Sequence, residues 1–218
     1  MLIGKLGFIS TMSVLLLKSL NDDLESSSQD HYVQRLRSAG FTADVIESLR
    51  FEYLPENLSI LADWRNKYSA VIFTSPRSLR ALKKCKIYGK ESDLCFVVGR
   101  ASAELACELH FDPKGAECGD SHTLAEFIVN NYKKKIDKPV LFVTGEQHLD
   151  DLPRFLDANG IKVDTTVAYV STVNKDSTEK LRLALCEGAS APDYLDVIAK
   201  IRISDSMGKS RANTFLEE

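Results

Sequence analysis

The stretch Val71-Ile72-Phe73-Thr74-Ser75-Pro76-Arg77 decides the fold. An apolar, β-branched run stops at a hydroxyl pair followed by proline, and Leu79 and Leu82 continue at helical spacing. Val71, Ile72 and Phe73 suit a strand covered on both faces. Ser75 can cap the free N–H groups of a helix start, and Pro76 has the φ wanted at the first helical position. The segment reads as a buried strand that delivers a helix. Such a turn sits at the carboxyl edge of a parallel sheet, where free N–H groups and the helix dipole favour negatively charged ligand groups. By itself the turn defines a place rather than an activity, because an ordinary capped helix fits the same residues.

The same geometry recurs downstream. Cys95-Phe96-Val97-Val98-Gly99 is a strand that turns at Gly99 into Arg100-Ala101-Ser102-Ala103 and a helix with Leu105 and Leu109 on one side. Ser102 stands in the first turn of that helix, where its hydroxyl can satisfy the helix start or face a carboxylate. Pro139 to Val143 is a strand, Thr144-Gly145-Glu146 reads as a third turn of this kind, and Leu152 to Leu156 is helical up to Gly160. Between them, Thr123-Leu124-Ala125-Glu126 has capping-box spacing and opens a helix through Val129. His122 has no second His, Cys or carboxylate at ligand spacing, so it reads as a surface residue rather than a metal ligand. Lys133-Lys134-Lys135 reads as a solvated helix end.

Upstream, Ser13 to Lys18 is a short strand, Asn21 to Asp30 a long polar loop, and His31 to Ala39 an amphipathic helix that Gly40 is placed to end. Thr42 to Ile46 begins the next strand. Leu58, Leu61, Ala62 and Trp64 follow at helical spacing, with Trp64 a packing residue. Arg50 to Leu54 and Ile161 to Tyr169 alternate, which suits two ribbon strands passing between domains, with Tyr169 projecting at the hinge. Asn174 to Gly188 is a polar loop and a short helix carrying Leu181, Leu183 and Leu185. Tyr194 to Ile203 is apolar without a clear period, and Ser204 to Glu218 reads as a disordered polar tail.

The bulk properties narrow the function classes. The 218 residues suit two domains of about 100 residues each. With 44% hydrophobic and 27% charged residues and a net charge of -3, there is no basic excess to attract nucleic acid. The five cysteines form no C-x-x-C pair, and their odd number argues against a disulfide framework and for a reducing compartment. No run reaches the roughly 18 apolar residues needed to span a membrane. Met1 to Ile9 matches neither a secretory nor a transit peptide, and Met12, just before the first strand, suits a functional start. An unrelated flavodoxin-like or binding-protein domain lacks support, since neither G-x-G-x-x-G nor a Walker pattern occurs.

With the turns in place, the chain resembles the uroporphyrinogen-III synthase family, which closes and isomerises a linear tetrapyrrole on the path to haem. The passages that carry the resemblance run in order. They are Val14-Leu15-Leu16-Leu17-Lys18, Phe73-Thr74-Ser75-Pro76-Arg77, Val97-Val98-Gly99-Arg100-Ala101-Ser102-Ala103, Leu124-Ala125-Glu126, Leu141-Phe142-Val143-Thr144-Gly145, Leu152-Pro153, Gly160-Ile161 and Val167-Ala168-Tyr169. They span about Ser13 to Tyr194, and the F-T-S-P-R turn is the most specific piece.

The resemblance implies an α/β fold of two doubly wound parallel-sheet domains joined by a two-stranded ribbon. Residues 50–171 would form the second lobe, and residues 13–49 with 172–203 a discontinuous first lobe, followed by the tail 204–218. It implies a monomeric, cytoplasmic lyase without metal or organic cofactor, binding neither nucleic acid nor membrane. Its partner is a linear tetrapyrrole, hydroxymethylbilane, held in a cleft between domains. The implied chemistry is loss of the hydroxyl to give an azafulvene, attack by the substituted carbon of the terminal pyrrole, and rearrangement through a spiro intermediate.

Tyr169 matches a tyrosine that assists departure of the hydroxyl as hydrogen-bond donor or general acid, while a hinge tyrosine that only packs fits equally well. Thr74, Ser75, Arg77, Gly99, Ser102, Thr144 and Gly145 match the rim that would hold the substrate carboxylates, with Ser102 in place of a common threonine. Family members continue past the position of Tyr194 with a strand ending in a serine-proline turn and later an I-G-x-T-T-like turn; neither pattern occurs here. The first lobe is therefore expected to be truncated to the strands near Val14 and Thr42, exposed or repacked against Leu195 to Ile203. Two readings follow, the synthase itself and a non-catalytic variant that binds a tetrapyrrole or a partner.

Overall fold

The apolar runs of the sequence become strands wherever both faces of a sheet are covered. The computed structural model describes residues 13–20 and 27–188. The described residues divide into two units, one made of those up to Arg50 together with those from Thr172 to residue 188, the other running from Phe51 to Ser171. The Met1 to Thr11 extension, most of the Asn21 to Asp30 loop, the Tyr194 to Ile203 segment and the Ser204 to Glu218 tail lie outside the described residues.

In the first unit, β1 (Ser13–Lys18) pairs in parallel with β2 (Thr42–Glu47), in register Val14↔Ala43 to Lys18↔Glu47. Helix α1 (His31–Ser38) connects them, with Val33 buried. Asp30, also buried, caps α1 by accepting from the Tyr32 N–H and pairs with Lys18 at the end of β1. Gly40 ends the helix at φ +88, a conformation that costs glycine nothing. From the later part of the chain, the Asn174 side chain donates to the Glu47 carbonyl, and α7 (Ser177–Gly188) follows.

The second unit is built on a sheet of β3 (Leu49–Tyr53), β4 (Ala70–Phe73), β5 (Leu94–Val97), β6 (Asp112–Lys114), β7 (Val140–Gly145) and β8 (Val163–Val173), in the order β3-β8-β7-β4-β5-β6. The pairs β7–β8, β4–β7, β4–β5 and β5–β6 are parallel. Every residue of β4 and β7 is buried, as an apolar run covered on both faces requires. On one face Val71, Phe73, Cys95, Val97, Leu141 and Val143 meet Leu79 and Leu82 of α3 (Pro76–Lys84), Ala106 of α4 (Arg100–Glu108), and Leu58, Leu61 and Trp64. Trp64 opens the short α2 (Trp64–Lys67). On the other face Ala70, Ile72, Phe96, Val140 and Phe142 meet Leu124 and Ile128 of α5 (Ser121–Tyr132) and Leu152 and Leu156 of α6 (Asp151–Ala158). Each fully buried leucine or phenylalanine contributes about 2 kcal/mol of transfer free energy.

The α/β class and the parallel sheet agree with the reading of the sequence, and several local expectations are corrected. Leu58 to Trp64 is not one helix but a 3₁₀ segment, Pro55–Ala62, followed by α2. Helix α5 begins at Ser121, because the Asp120 carboxylate accepts from the Thr123 N–H and so takes the cap expected of Thr123. Thr144-Gly145-Glu146 is not a strand-to-helix turn. Thr144 and Gly145 remain in β7 because β8 continues beside them, Thr144 opposite Val167 and Gly145 opposite Tyr169, and α6 starts only at Asp151. The alternating segments, β3 and β8, pair with each other, and β8 is also laddered to β7. Among the described residues, no helix is long and apolar enough to cross a membrane.

Candidate functional site

Strand order places the site. From β4 the chain moves outward to β5 and β6, then returns to the other side of β4 for β7 and β8. Helix α3 lies on one face of the sheet and α6 on the other. The carboxyl ends of β4 and β7 therefore flank a topological switch point, the place where open α/β sheets bind their ligands. Phe73 is in register with both Val97 and Val143, so Thr74-Ser75, Val98-Gly99 and Thr144-Gly145 emerge side by side.

The first turns of α3 and α4 supply donors at this edge. Ser75 caps α3, its Oγ accepting from the Arg77 N–H at 3.2 Å, and Pro76 is the first helical residue. Gly99 caps α4 at φ 77 and ψ 159, a conformation that excludes a side chain at little cost only in glycine, so the start of α4 carries no side-chain cap. Ser78 and Ser102 occupy equivalent first-turn positions on the two helices. Both hydroxyls are buried and have no hydrogen-bond partner among the described residues. Such a group costs about 1–3 kcal/mol until an acceptor or donor meets it. Thr74, Ser75 and Thr144 are likewise buried, whereas Arg77, Gly99 and Tyr169 are half-buried.

At the other side of the switch point a β-bulge aims Tyr169. The register of β7 and β8 shifts between Thr144↔Val167 and Gly145↔Tyr169, so Ala168 is the extra residue, fully buried. Bulges of this kind redirect a side chain next to a site. The Tyr169 ring then lies against the backbone of Gly145, meets Phe51 edge-on at 5.8 Å between centroids, and Phe51 carries the Arg77 guanidinium 3.6 Å from its ring centre. Tyr169, Phe51 and Arg77 thus form one stack linking β8, β3 and α3. The Glu146 N–H donates to the Tyr169 carbonyl at 2.9 Å, and His148 Nδ1 is 2.9 Å from the Gly145 carbonyl.

Of the eight residues singled out in the sequence, seven fall at the carboxyl ends of β4, β5 and β7 or on the turns that follow, and Tyr169 lies within β8 opposite the end of β7. Phe51 and His148 were missed. Phe51 was legible only as one position of an alternating strand, and His148 carried no motif.

Cys95 stands apart from this chemistry, since burial and then the nearby Asp93 charge push its thiol far above the ordinary range. Among the described residues no cluster of His, Cys, Asp and Glu could hold a metal ion. A cavity of about 460 Å³ lined by Pro55, Leu58, Ser59, Ala62, Lys84, Cys85 and Ile87 lies by the C-terminal end of α3 and includes none of the site residues.

A mostly parallel sheet with helices on both faces, and with hydroxyls, backbone N–H groups and a bulge-held tyrosine along one edge, defines an α/β protein of the doubly wound class. Within that class, the chain belongs to the uroporphyrinogen-III synthase family, a family of cyclising lyases of porphyrin and haem biosynthesis: the model for Uroporphyrinogen-III synthase HemD matches residues 30–199.

The chain is 29% identical over 179 residues to the uroporphyrinogen-III synthase of Schizosaccharomyces pombe, covering 77% of this chain and 68% of that protein. It is 25% identical over 192 residues to that of Saccharomyces cerevisiae, covering 80% and 68%. In fold it is similar to a mutant uroporphyrinogen III synthase from the extremely thermophilic bacterium Thermus thermophilus, with a TM-score of 0.51 at 16% identity over 80% of this chain and 69% of that one.

Proposed function

We propose that this chain converts hydroxymethylbilane to uroporphyrinogen III with loss of water, acting as a monomer in the cytosol. The observation that carries the reading is Tyr169, held by the bulge at the same sheet edge as the hydroxyl and N–H rim. The substrate's carboxylates suit that rim. Ser75, Ser102 and the uncapped first turn of α4 offer hydroxyl and backbone donors, Thr74, Thr144 and the Gly99 and Gly145 backbones line the same edge, and Arg77 adds a cation.

Tyr169 donates its phenolic proton to the hydroxymethyl oxygen as the C–O bond breaks, so the hydroxyl leaves as water and the pyrrole nitrogen lone pair forms the azafulvene. The substituted carbon of the terminal ring attacks that electrophile to give the spiro intermediate. After rearrangement and closure, the proton lost from the ring system restores the phenol. Most of the reactivity belongs to the substrate. The protein brings the two chain ends together and keeps the intermediate from closing without rearrangement.

The test is to incubate freshly made hydroxymethylbilane with the purified 218-residue chain and measure the ratio of type III to type I uroporphyrinogen. Enrichment of type III over a buffer control is expected. A ratio equal to the control, from protein shown to be folded, would reject the synthase reading and leave a non-catalytic variant that binds a tetrapyrrole or a partner.

A further inference from the structure

We infer that His148 is a positioning residue that locks the peptide unit beneath Tyr169, an inference that rests on the reading of Tyr169 as the catalytic group. The Gly145–Glu146 peptide is held at both ends. Its carbonyl lies 2.9 Å from His148 Nδ1, and its N–H donates to the Tyr169 carbonyl at 2.9 Å. A carbonyl only accepts, so Nδ1 carries the proton and the tautomer is set by this bond. In a trans peptide the C=O and N–H point in opposite directions, so His148 and the Tyr169 backbone grip one rigid plate from its two sides.

The grip matters because the residue is glycine. Gly145 places no side chain against the phenol, and the same lack of a Cβ leaves its backbone free to rotate unless something else fixes it. His148 is itself held, with its ring meeting Phe142 edge-on at 5.8 Å and 86°. Its Nε2 is 3.7 Å from Asp150 Oδ1, too long for a hydrogen bond. Without the Nδ1 bond the peptide can turn, the end of β7 moves against the bulge, and the Tyr169 hydroxyl loses its alignment with the leaving group. Errors of about 1 Å in such alignment cost up to about 100-fold in rate.

Substitutions at His148 in the full chain separate positioning from packing. Asparagine can place an N–H donor where Nδ1 sits, whereas glutamine reaches only toward the Nε2 position. His148→Ala is expected to lower kcat roughly tenfold or more with KM little changed, and to shift product toward type I. His148→Asn should restore most of the turnover and His148→Gln should not. The Tyr169 Cζ resonance, followed without substrate, should move in His148→Ala and return in His148→Asn.

If the unaltered chain makes no type III product, the proposed function fails, and the Tyr169 resonance still decides whether His148 positions the ring. With an active chain, unchanged kcat and product ratio in His148→Ala would overturn the inference, as would equal rescue by glutamine and asparagine.

Discussion

The phenol of Tyr169 rests directly on the backbone of Gly145: a Cβ at Gly145 would stand 2.5 Å from the tyrosine Cζ and 2.8 Å from its hydroxyl. Real carbon atoms do not approach so closely, so position 145 and the ring on β8 are one steric unit.

Gly145→Ala must therefore displace the Tyr169 ring or spread β7 from β8. The expected cost is about 1–3 kcal/mol of stability, typical of overpacking, with turnover falling further than stability because the hydroxyl moves. Urea unfolding and steady-state assays of the same preparation measure both. A variant that kept wild-type turnover would show that the ring's place on Gly145 is immaterial to the chemistry.

Tyr169→Phe keeps the ring on Gly145 and its edge contact with Phe51 and removes only the oxygen. Stability should stay within about 0.5 kcal/mol of wild type, as for other changes that leave packing intact. Turnover should drop by about 100- to 10,000-fold, the range for a lost proton donor. Equal loss of stability and activity would instead mark Tyr169 as a packing residue.

Asp30 predicts an acid-sensitive first unit. Its burial raises the carboxyl pKa, but the Lys18 hydrogen bond and charge and the Tyr32 and Val33 N–H groups outweigh that, leaving it below the ordinary 3.8. A carboxyl depressed on folding stabilises the fold above its unfolded value, and that contribution fades as pH falls through the folded one. Asp30→Asn should cost about 1–3 kcal/mol at neutral pH, with Lys18 left unpaired. The gap from wild type should narrow as pH falls below 3.8. Urea midpoints that differ by a constant amount from pH 7 to pH 3 would contradict the pairing.

The organising turn was readable because its causes are local. Ser75 caps through its own neighbour's N–H and Pro76 presets φ, so α3 starts where those residues say it must. Gly40 ends α1 for a similarly local reason. The Thr144-Gly145-Glu146 reading failed where the cause was remote: β7 runs on because β8, more than a helix away in sequence, offers it partners as far as Tyr169. The Thr123 cap failed because Asp120 starts the helix earlier, accepting from the Thr123 N–H and leaving Thr123 inside the first turn.

What the sequence by itself determined was the α/β class, the buried strands β4, β5 and β7 with the helices that follow β4 and β5, and the family to which the F-T-S-P-R turn points, since φ preference, capping and hydrophobic period act over a few residues. Only the tertiary structure decided the strand order that opens a switch point between β4 and β7, the bulge at Ala168 that turns Tyr169 onto Gly145, and the enlistment of Phe51 and His148. Those features arise from pairing between strands far apart in the chain, where hydrogen-bond register and steric fit, rather than any local propensity, set which side chains meet.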